Sequence, residues 1–354
     1  MAFGRVGAGF GRVGLWGGAG GASLAGGAAL LAAEANGFAA DFTHAVDAQR
    51  VALKTAGAVV SSGLSFFTKS TGSVKWVYDV TGALVSVSAA SPAVDYDPVT
   101  HAARGMLVEP AATNLLLNNA TLSTQSVTVT ATTYTLSIFG TGTVTLSGTS
   151  TAGPLVGTGA NNRVSLTFAP TAGTLTLTVS GSVTKAQLET GGIATSPITT
   201  VGSAVTRAAD VISATATAIH YSATAGSWWV DISLNTTGSF SRIIGYSTAD
   251  TPMLVQAGLY FFDSTDGTNI VVTVADVLGR HKIAGAFQSG DRALTADGQA
   301  PGIQTVATGL LAPGTNIGFG CNTANNADQI NGYIRKVMYV PRRMTNGELQ
   351  ALTV

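Results

Sequence analysis

The chain has 354 residues, of which 10% are charged and 45% are hydrophobic, and its formal net charge is zero. Typical globular proteins contain about 25% charged residues, so this chain must bury apolar surface in its own core or against other copies. Zero net charge excludes the basic field that binding to nucleic acid or an anionic membrane requires. The lone cysteine, Cys321, excludes a disulfide scaffold and a multi-cysteine metal site, and its apolar neighbours predict a buried thiol.

The first 37 residues are rich in glycine and alanine and repeat Phe-Gly-Arg-Val-Gly at 3–7 and 10–14. The uncharged stretch 13–33 resembles a signal peptide or a membrane span. Glycine, however, adds almost no transfer energy and weakens a helix. We therefore interpret residues 1–37 as an arm that packs on a neighbouring subunit, and expect no membrane partner. The second repeat also matches a dinucleotide fingerprint, but no βαβ pattern surrounds it.

Residues 38–118 have a mixed pattern that predicts an irregular connector with a few strands, one of them at 74–80. In residues 119–210, apolar and hydroxyl side chains alternate with period two between glycine-rich turns, which predicts a jelly-roll-like β-sandwich. The alternating segments are 126–130, 134–139, 143–147, 163–168 and 174–179.

Residues 211–354 are predicted to form a second β-sandwich, with hairpin turns at the Asp-Gly pairs 266–267 and 297–298. Thr345 and Glu348 form a capping box, which predicts a short helix at the end of the chain. The fold class is therefore mainly β, with two β-sandwich domains after a Gly/Ala-rich arm and a short C-terminal helix.

Three segments resemble a signature of phage and prophage tail or head-spike proteins. The most specific is 104–115, which ends in Leu-Val-Glu-Pro-Ala-Ala-Thr-Asn-Leu and follows Asp-Tyr-Asp-Pro at 95–98. Its companions are 183–191 and 204–210. The sandwich that they bracket is similar to carbohydrate-binding modules, and residues 211–354 resemble a concanavalin-like (laminin-G-like) domain.

The resemblance implies a virion structural protein: a tail-fibre, spike or tail-tip component on the phage tail or head. It implies that the arm contacts other virion proteins, that the protein is a homotrimer, and that the sandwiches face a host-surface polysaccharide. Two alternatives stay open. One is a purely structural tail or head decoration protein, and the other is a polysaccharide-degrading tailspike.

Catalytic chemistry has little support in the sequence. Glycoside hydrolysis needs two carboxyl groups across one bond, and the chain has four glutamates: Glu34, Glu109, Glu189 and Glu348. Glu34 lies in the arm and Glu348 in the helix cap. Glu109 and Glu189 lie in the phage-like signature. Asp95 and Asp97 are two residues apart, but the sequence Asp97-Pro98 is typical of a turn. The four histidines lack metal spacing, and no nucleophile elbow is present. We predict that the protein is not an enzyme.

Ligand sites are predicted in the second sandwich. Asp263 and Asp266 are candidate Ca²⁺ ligands, although a plain hairpin explains this loop better, and we expect no other metal or cofactor. Trp228 and Trp229 are adjacent on one predicted strand, so their side chains should point to opposite faces. The simpler interpretation is that both are packing residues. The candidate carbohydrate-binding residues are Trp228, Trp229, Tyr246, Tyr260, Asn322 and Asn325.

Overall fold

The computed structural model describes residues 27–70, 73–236, 240–246, 251–256, 259–263, 269–274, 276–305, 313–324 and 326–354. Over these residues the chain is mainly β, which confirms the predicted fold class. Most of the predicted arm lies outside the described residues, and its end includes the short helix α1 (Gly27–Leu30). In the described part of the chain, no helix is both long enough and apolar enough to cross a bilayer.

The strands follow one another in three runs. The first run is β1 (Gly37–Asp41), β2 (Val51–Thr55), β3 (Ala58–Ser62), β4 (Thr68–Lys69), β5 (Lys75–Tyr78), β6 (Leu84–Val87), β7 (Ala93–Tyr96), β8 (Ala103–Val108) and β9 (Ala112–Asn114). The second run is β10 (Gln125–Val129), β11 (Tyr134–Gly140), β12 (Thr143–Gly148), β13 (Leu155–Val156), β14 (Gly159–Phe168), β15 (Gly173–Ser180) and β16 (Val183–Thr190).

The third run starts where the chain leaves the second. It is β17 (Val205–Arg207), β18 (Ile212–Thr215), β19 (Ala225–Thr236), β20 (Ser241–Tyr246), β21 (Thr251–Gln256), β22 (Leu259–Asp263), β23 (Ile270–Thr273), β24 (Gly279–Gln288), β25 (Asp291–Ala296), β26 (Gly302–Gln304), β27 (Asn316–Phe319) and β28 (Asn331–Val340). Helix α2 (Asn346–Thr353) ends the chain, and 3₁₀ turns occupy Asp47–Gln49 and Leu64–Phe66.

The first and third runs build one large unit, the main sandwich. One sheet, of ten strands within the described residues, has the order β26-β25-β24-β19-β28-β1-β2-β3, with β8 also on β28 and β7 on β8. The facing sheet has the order β23-β22-β21-β20-β27-β18-β4. Aromatic rings fill the space between the sheets: Phe38, Phe67 and Trp228 each contact Phe319, with ring centroids 5.1–6.4 Å apart.

The second run forms a smaller unit, the insert sandwich. Its sheets have the orders β10-β15-β12-β13 and β14-β11-β16, and they enclose a separate core that includes Leu136, Ile138, Leu146, Leu175 and Leu177. The predicted alternating segments fall on β10, β11, β12, β14 and β15. Strands β9 and β17 pair where the chain enters and leaves this unit. The insert sandwich is thus a domain inserted between the two parts of the chain that form the main sandwich.

The predicted connector differs from the structure. Strand β1 pairs with β28, Phe38 opposite Tyr339, and β8 pairs with another part of β28, Met106 opposite Ile334. Residues 37–69 and 93–108 therefore belong to the main sandwich. Strands β1 and β8 are short and mostly buried, so they lack the alternation that marks a one-sided strand. Their partner β28 lies more than two hundred residues away in the chain.

Several local predictions are confirmed. Thr345 caps α2 by accepting from Glu348 N, and the Glu348 side chain accepts from Thr345 N, which completes the capping box. Asp297 and Gly298 have φ values of 50° and 73°, as a hairpin turn of this type requires. Cys321 is fully buried, and burial raises the pKa of its thiol to about 12. The Asp-Gly pair at 266–267 lies outside the described residues.

Candidate functional site

The two tryptophans predicted to contact sugar lie inside the protein, on opposite faces of β19 as expected. Trp228 is 1% exposed, and its Nε1 donates to Tyr246 Oη at 3.2 Å. Trp229 is 7% exposed beneath α2, and its Nε1 donates to Leu352 O at 2.9 Å. A buried ring offers no face to a sugar, so the prediction of sugar contact is wrong for both, and the packing interpretation describes them.

The other residues predicted for ligand contact do not form a site either. Tyr246, Tyr260 and Asn322 are buried. Asn322 holds its own loop, because its Nδ2 donates to Asp328 Oδ2 at 3.2 Å and its Oδ1 accepts from Ala324 N at 2.9 Å. These three assignments are therefore corrected to packing and loop-forming roles.

Two of the remaining predictions concern residues outside the described part of the chain, Asn325 and Asp266. Asp263 is the last residue of β22. Among the described residues, no group of three or more His, Cys, Asp or Glu side chains is arranged to hold a metal ion.

The glutamates of the phage-like signature hold two neighbouring residues of one loop. Glu109 accepts from Ser196 N and Oγ, each at 2.7 Å. Glu189 accepts from Thr195 N at 2.5 Å and from Thr195 Oγ at 2.7 Å. Both glutamates are buried. Their carboxylates therefore fix the segment that leaves the insert sandwich, and these bonds occupy all four oxygens.

Glu109 also belongs to a buried ionic cluster, which consists of Lys69, Lys75, Glu109, Arg207 and Asp210. The Lys75 ammonium lies 3.2 Å from Glu109 Oε2 and also bonds Asp210, whose other oxygen is 3.2 Å from Lys69 Nζ. The Arg207 guanidinium lies 3.5 Å from Glu109 Oε2. Burial alone would raise the pKa of Glu109, but Lys75, Arg207 and the bonds from Ser196 outweigh it and lower that pKa to about 2.

Two asparagines complete the attachment of the insert sandwich. Asn114 and Asn119 each donate through Nδ2 to the carbonyls of Ala186 and Ile198, at distances between 2.8 and 3.0 Å. Both asparagines are almost fully buried. The entering and leaving segments are thus joined by side-chain amides as well as by charges, and the signature residues act as structural fasteners.

The attachment leaves a cleft of about 440 Å³, the inter-sandwich cleft, between the insert sandwich and the β5–β6 hairpin of the main sandwich. Its size falls in the range of small-ligand sites, roughly 300–1,000 Å³. Side chains that line it include Trp76, Tyr78, Arg104, Asn162, Arg163 and Tyr333.

The aromatic side of the cleft comes from the alternation along β5. Trp76 and Tyr78 point to one face and are partly exposed, while Val77 points to the other and packs with Ala93 and Leu107. The Lys185 ammonium lies 5.7 Å from the centroid of the Trp76 ring, and Tyr78 Oη donates to the carbonyl of residue 161 at 3.1 Å. The hairpin is thereby tied to the insert sandwich at both aromatic positions.

The floor of the cleft carries the buried carboxyl group of Asp95, whose pKa is raised. Asp95 accepts from Tyr78 N at 2.8 Å, from Tyr333 Oη at 2.9 Å and from Arg104 Nη1 at 3.3 Å. Burial is the largest effect and raises the pKa of Asp95 in spite of these bonds. Asp97 accepts from the N–H groups of residues 99 and 100, which confirms the predicted turn.

Arg163 forms the opposite wall. Its Nη1 donates to Thr195 O, its Nη2 donates to Ser137 Oγ at 2.7 Å, and its guanidinium lies 5.8 Å from the centroid of the Phe139 ring. Burial lowers its pKa. The cleft thus combines two partly exposed aromatic rings with amide, hydroxyl and guanidinium groups.

Sequence reasoning missed Trp76 and Tyr78 as site residues. The strand at 74–80 was predicted, and its alternation places both rings on one face. No local signal, however, shows that this face meets the insert sandwich, because the facing residues lie about ninety positions later in the chain.

No protein-family model matches the chain, and no curated protein matches it. Structural alignment finds the CBM40 of Ruminococcus gnavus IT-sialidase bound to alpha2,6 sialyllactose, with 14% identity, 38% of this chain and 85% of that chain covered, and a TM-score of 0.32. It also finds the NanB sialidase of Streptococcus pneumoniae, with 11% identity, 38% and 24% covered, and a TM-score of 0.30. Likenesses this weak do not assign the chain to either group.

The ionic cluster predicts an acid-dependent stability. The pKa of Glu109 is about 2 in the fold against 4.5 for an unperturbed glutamate, so its contribution is fully present above pH 4.5 and is lost as the pH falls towards 2. A shift of this size corresponds to roughly 3 kcal/mol. Glu109→Gln should therefore lower the free energy of unfolding by about that amount at pH 7, and the difference should shrink below pH 4.5. Urea titrations at several pH values measure this.

Glu348→Gln is the matched control. The pKa of Glu348 is also lowered to about 2, but the Glu348 side chain is 42% exposed. Solvent therefore screens its interactions, and the substitution should lower the free energy of unfolding by less. An effect of Glu109→Gln that is the same at pH 7 and pH 2.5 would contradict the proposed role of the charge.

Proposed function

We propose that the protein is a non-catalytic structural component of a phage or phage-like particle, and that it binds host-surface glycan through the inter-sandwich cleft. The observation that carries the binding half is the pair of partly exposed rings, Trp76 and Tyr78, on one face of the cleft. A pyranose has an apolar face and a rim of hydroxyl groups. Aromatic rings beside fixed polar groups complement both parts.

The polar groups of the cleft suit hydroxyl recognition. Arg104 is held by Asp95 and Asp97, at 3.3 and 2.9 Å, and keeps about a third of its side chain exposed. Asn162 on β14 is exposed at the opposite edge. Because these groups are held by strands and ion pairs, a bound sugar would order few of them, and the entropic cost of binding would be small.

The virion half of the proposal rests on the resemblance of residues 95–115, 183–191 and 204–210 to phage tail and head-spike proteins. Its supporting observation is that these segments meet in space. Glu109 bonds Asp210 and Ser196 between the two sandwiches, and Glu189 bonds Thr195 in the segment that leaves the insert sandwich. The chain's 10% charge content suits oligomerisation. The resemblance implies a homotrimer whose arm, residues 1–37, is attached to other virion proteins.

Trp76→Ala tests glycan binding. It should weaken binding to any polysaccharide retained on an array of bacterial surface glycans by at least tenfold, or 1.4 kcal/mol, because the stacking face is lost. Val60→Ala is the control, since Val60 is 68% exposed on β3 and lies outside the cleft. A wild-type protein that binds no glycan would favour the purely structural alternative.

Deletion of residues 1–26 tests assembly. The full chain should have the mass of three copies by light scattering and should co-purify with the particle, while the shortened chain should keep its β circular-dichroism spectrum and fail to join the particle. A full-length protein that is a stable monomer, or a shortened chain that still joins the particle, would contradict the proposal.

One observation favours a second function, polysaccharide cleavage. A buried carboxyl with a raised pKa beside a cleft is the acid that glycoside hydrolysis uses. Asp95 nevertheless has both oxygens engaged by Tyr78, Tyr333 and Arg104, which makes binding the stronger proposal. We expect the wild type and Asp95→Asn to release equally few reducing ends from host polysaccharide. Release by the wild type that disappears in Asp95→Asn would establish the enzyme instead.

A further inference from the structure

Within the ionic cluster, a lysine amine and an aspartate carboxyl group meet in the interior of the protein. The Lys75 side chain is 1% exposed and that of Asp210 is 3% exposed. Lys75 Nζ bonds Asp210 Oδ2 directly. It also contacts Leu107 O at 3.3 Å and Glu109 Oε2 at 3.2 Å. These three acceptors match the three N–H bonds of an ammonium, so one of those bonds points at the Asp210 carboxyl group.

The Asp210 carboxyl group is held and polarised by donors at both oxygens. Oδ2 accepts from Glu109 N at 2.9 Å, and Oδ1 lies 3.2 Å from Lys69 Nζ. Asp210 N in turn donates to Glu109 O at 3.0 Å, which fixes the backbones of these two residues to each other. A cation and an N–H group beside a carboxyl group stabilise the negative charge that develops on its oxygens when the carbon is attacked.

Burial favours a neutral form of the Lys75–Asp210 pair, because charged groups lose their hydration in the interior. Transfer of one proton from Lys75 Nζ to Asp210 Oδ2, along their contact, removes two charges from the interior. The products are an amine and a carboxylic acid, and the nitrogen lone pair then points at the acid group. Well-oriented groups held in contact react as if each were present at about 10⁵–10⁸ M.

Glu109 is placed to move the proton that amide formation displaces. Its Oε2 is within reach of Lys75 Nζ, and its pKa of about 2 keeps it ionised at neutral pH, the form that accepts a proton. Ser196 N and Oγ hold this carboxylate, each at 2.7 Å. For Lys69, Asp210 is the one ion-pair partner among the described residues, so no second carboxylate is at hand to take its proton. The arrangement therefore selects Lys75 over Lys69 as the nucleophile.

We propose that Lys75 and Asp210 condense to form an intramolecular isopeptide bond, with Glu109 as the catalytic residue. The Lys75 Nζ lone pair forms a bond to Asp210 Cγ, and the displaced carbonyl electrons move to Oδ1 beside Lys69. Glu109 takes one proton from the nitrogen and passes it to Oδ2. The Cγ–Oδ2 bond breaks with its electron pair on Oδ2, which already carries the proton received from Lys75 and leaves as water, and the carbonyl at Oδ1 reforms.

The condensation occurs once in each chain and is independent of the proposed glycan binding. It joins two residues 135 positions apart and closes a loop that contains every strand of the insert sandwich. A covalent link across so long a loop lowers the entropy of the unfolded chain. It also fastens β5, the strand that carries Trp76 and Tyr78, to the segment that leaves the insert sandwich.

Mass spectrometry of the purified, full-length protein tests the bond. The denatured wild type should weigh one water molecule less than its sequence requires, and a proteolytic digest should contain a branched peptide that joins the Lys75 and Asp210 segments. Lys75→Arg keeps the positive charge, but a guanidinium stays protonated and is no nucleophile, so this variant should have the full mass. Lys336→Arg is the matched control, because Lys336 Nζ lies 2.9 Å from Asp41 Oδ2, and it should keep the lower mass.

Glu109→Gln tests the catalytic role. The uncondensed fraction, followed by mass after protein synthesis is stopped, should disappear at least tenfold more slowly than in the wild type. The melting temperature of each variant shows whether it folds. An amide bond does not titrate, so the pH-dependent part of the Glu109→Gln effect on unfolding still reports the charge of Glu109.

The outcomes are distinct. A folded wild type with the full mass of its sequence overturns the proposal. So does a loss of water that persists in Lys75→Arg, since cyclisation at the Asp297–Gly298 pair would also release water. A folded Glu109→Gln protein that condenses at the wild-type rate overturns the role of Glu109. None of these results bears on glycan binding, which the polysaccharide array tests separately.

Discussion

The buried ionic cluster at the root of the insert sandwich is the constraint on which the rest of the structure depends. Lys69, Lys75, Glu109, Arg207 and Asp210 come from four separate stretches of chain, and each is buried. Removing such charges from water is costly, and pairing repays the cost only when the geometry is well satisfied. The cluster therefore specifies one arrangement of the main and insert sandwiches rather than adding much net stability. A shift of either unit would leave a charge buried and unpaired.

The position of the cleft follows from that arrangement. Lys75 is the first residue of β5, so its pairing with Glu109 and Asp210 sets where the β5–β6 hairpin stands. Alternation along β5 then turns Trp76 and Tyr78 towards the insert sandwich, while Val77 packs below. Charges position this hairpin, and its two aromatic rings face the inter-sandwich cleft. The Arg207 guanidinium closes the ionic cluster, because it lies 3.5 Å from Glu109 Oε2 and its Nη2 donates to Pro110 O.

Aromatic residues have two separate uses in this protein. Some large rings fill the main core, and Trp228, Tyr246 and Tyr260 are among them. The hydrogen bond from Trp228 Nε1 to Tyr246 Oη satisfies polar atoms of that pair without solvent. The partly exposed rings, Trp76 and Tyr78, lie on a hairpin outside the main core. A tryptophan's local strand context does not separate these uses, since both kinds alternate along a strand.

Elements whose cause is local could be predicted from the sequence. The period-two segments of the insert sandwich, the Asp297–Gly298 turn, the Asp97 turn and the capping box of α2 each depend on residues a few positions apart. The signature at 104–115 also includes Glu109 and Asn114, which hold the insert sandwich in place, but it did not predict that role. Only the tertiary structure paired Phe38 with Tyr339, brought Glu109 to Asp210, and set Trp76 against the insert sandwich. Those contacts join segments about one hundred to three hundred residues apart, and they are selected by packing and by the pairing of buried charges, neither of which leaves a periodic trace in the chain.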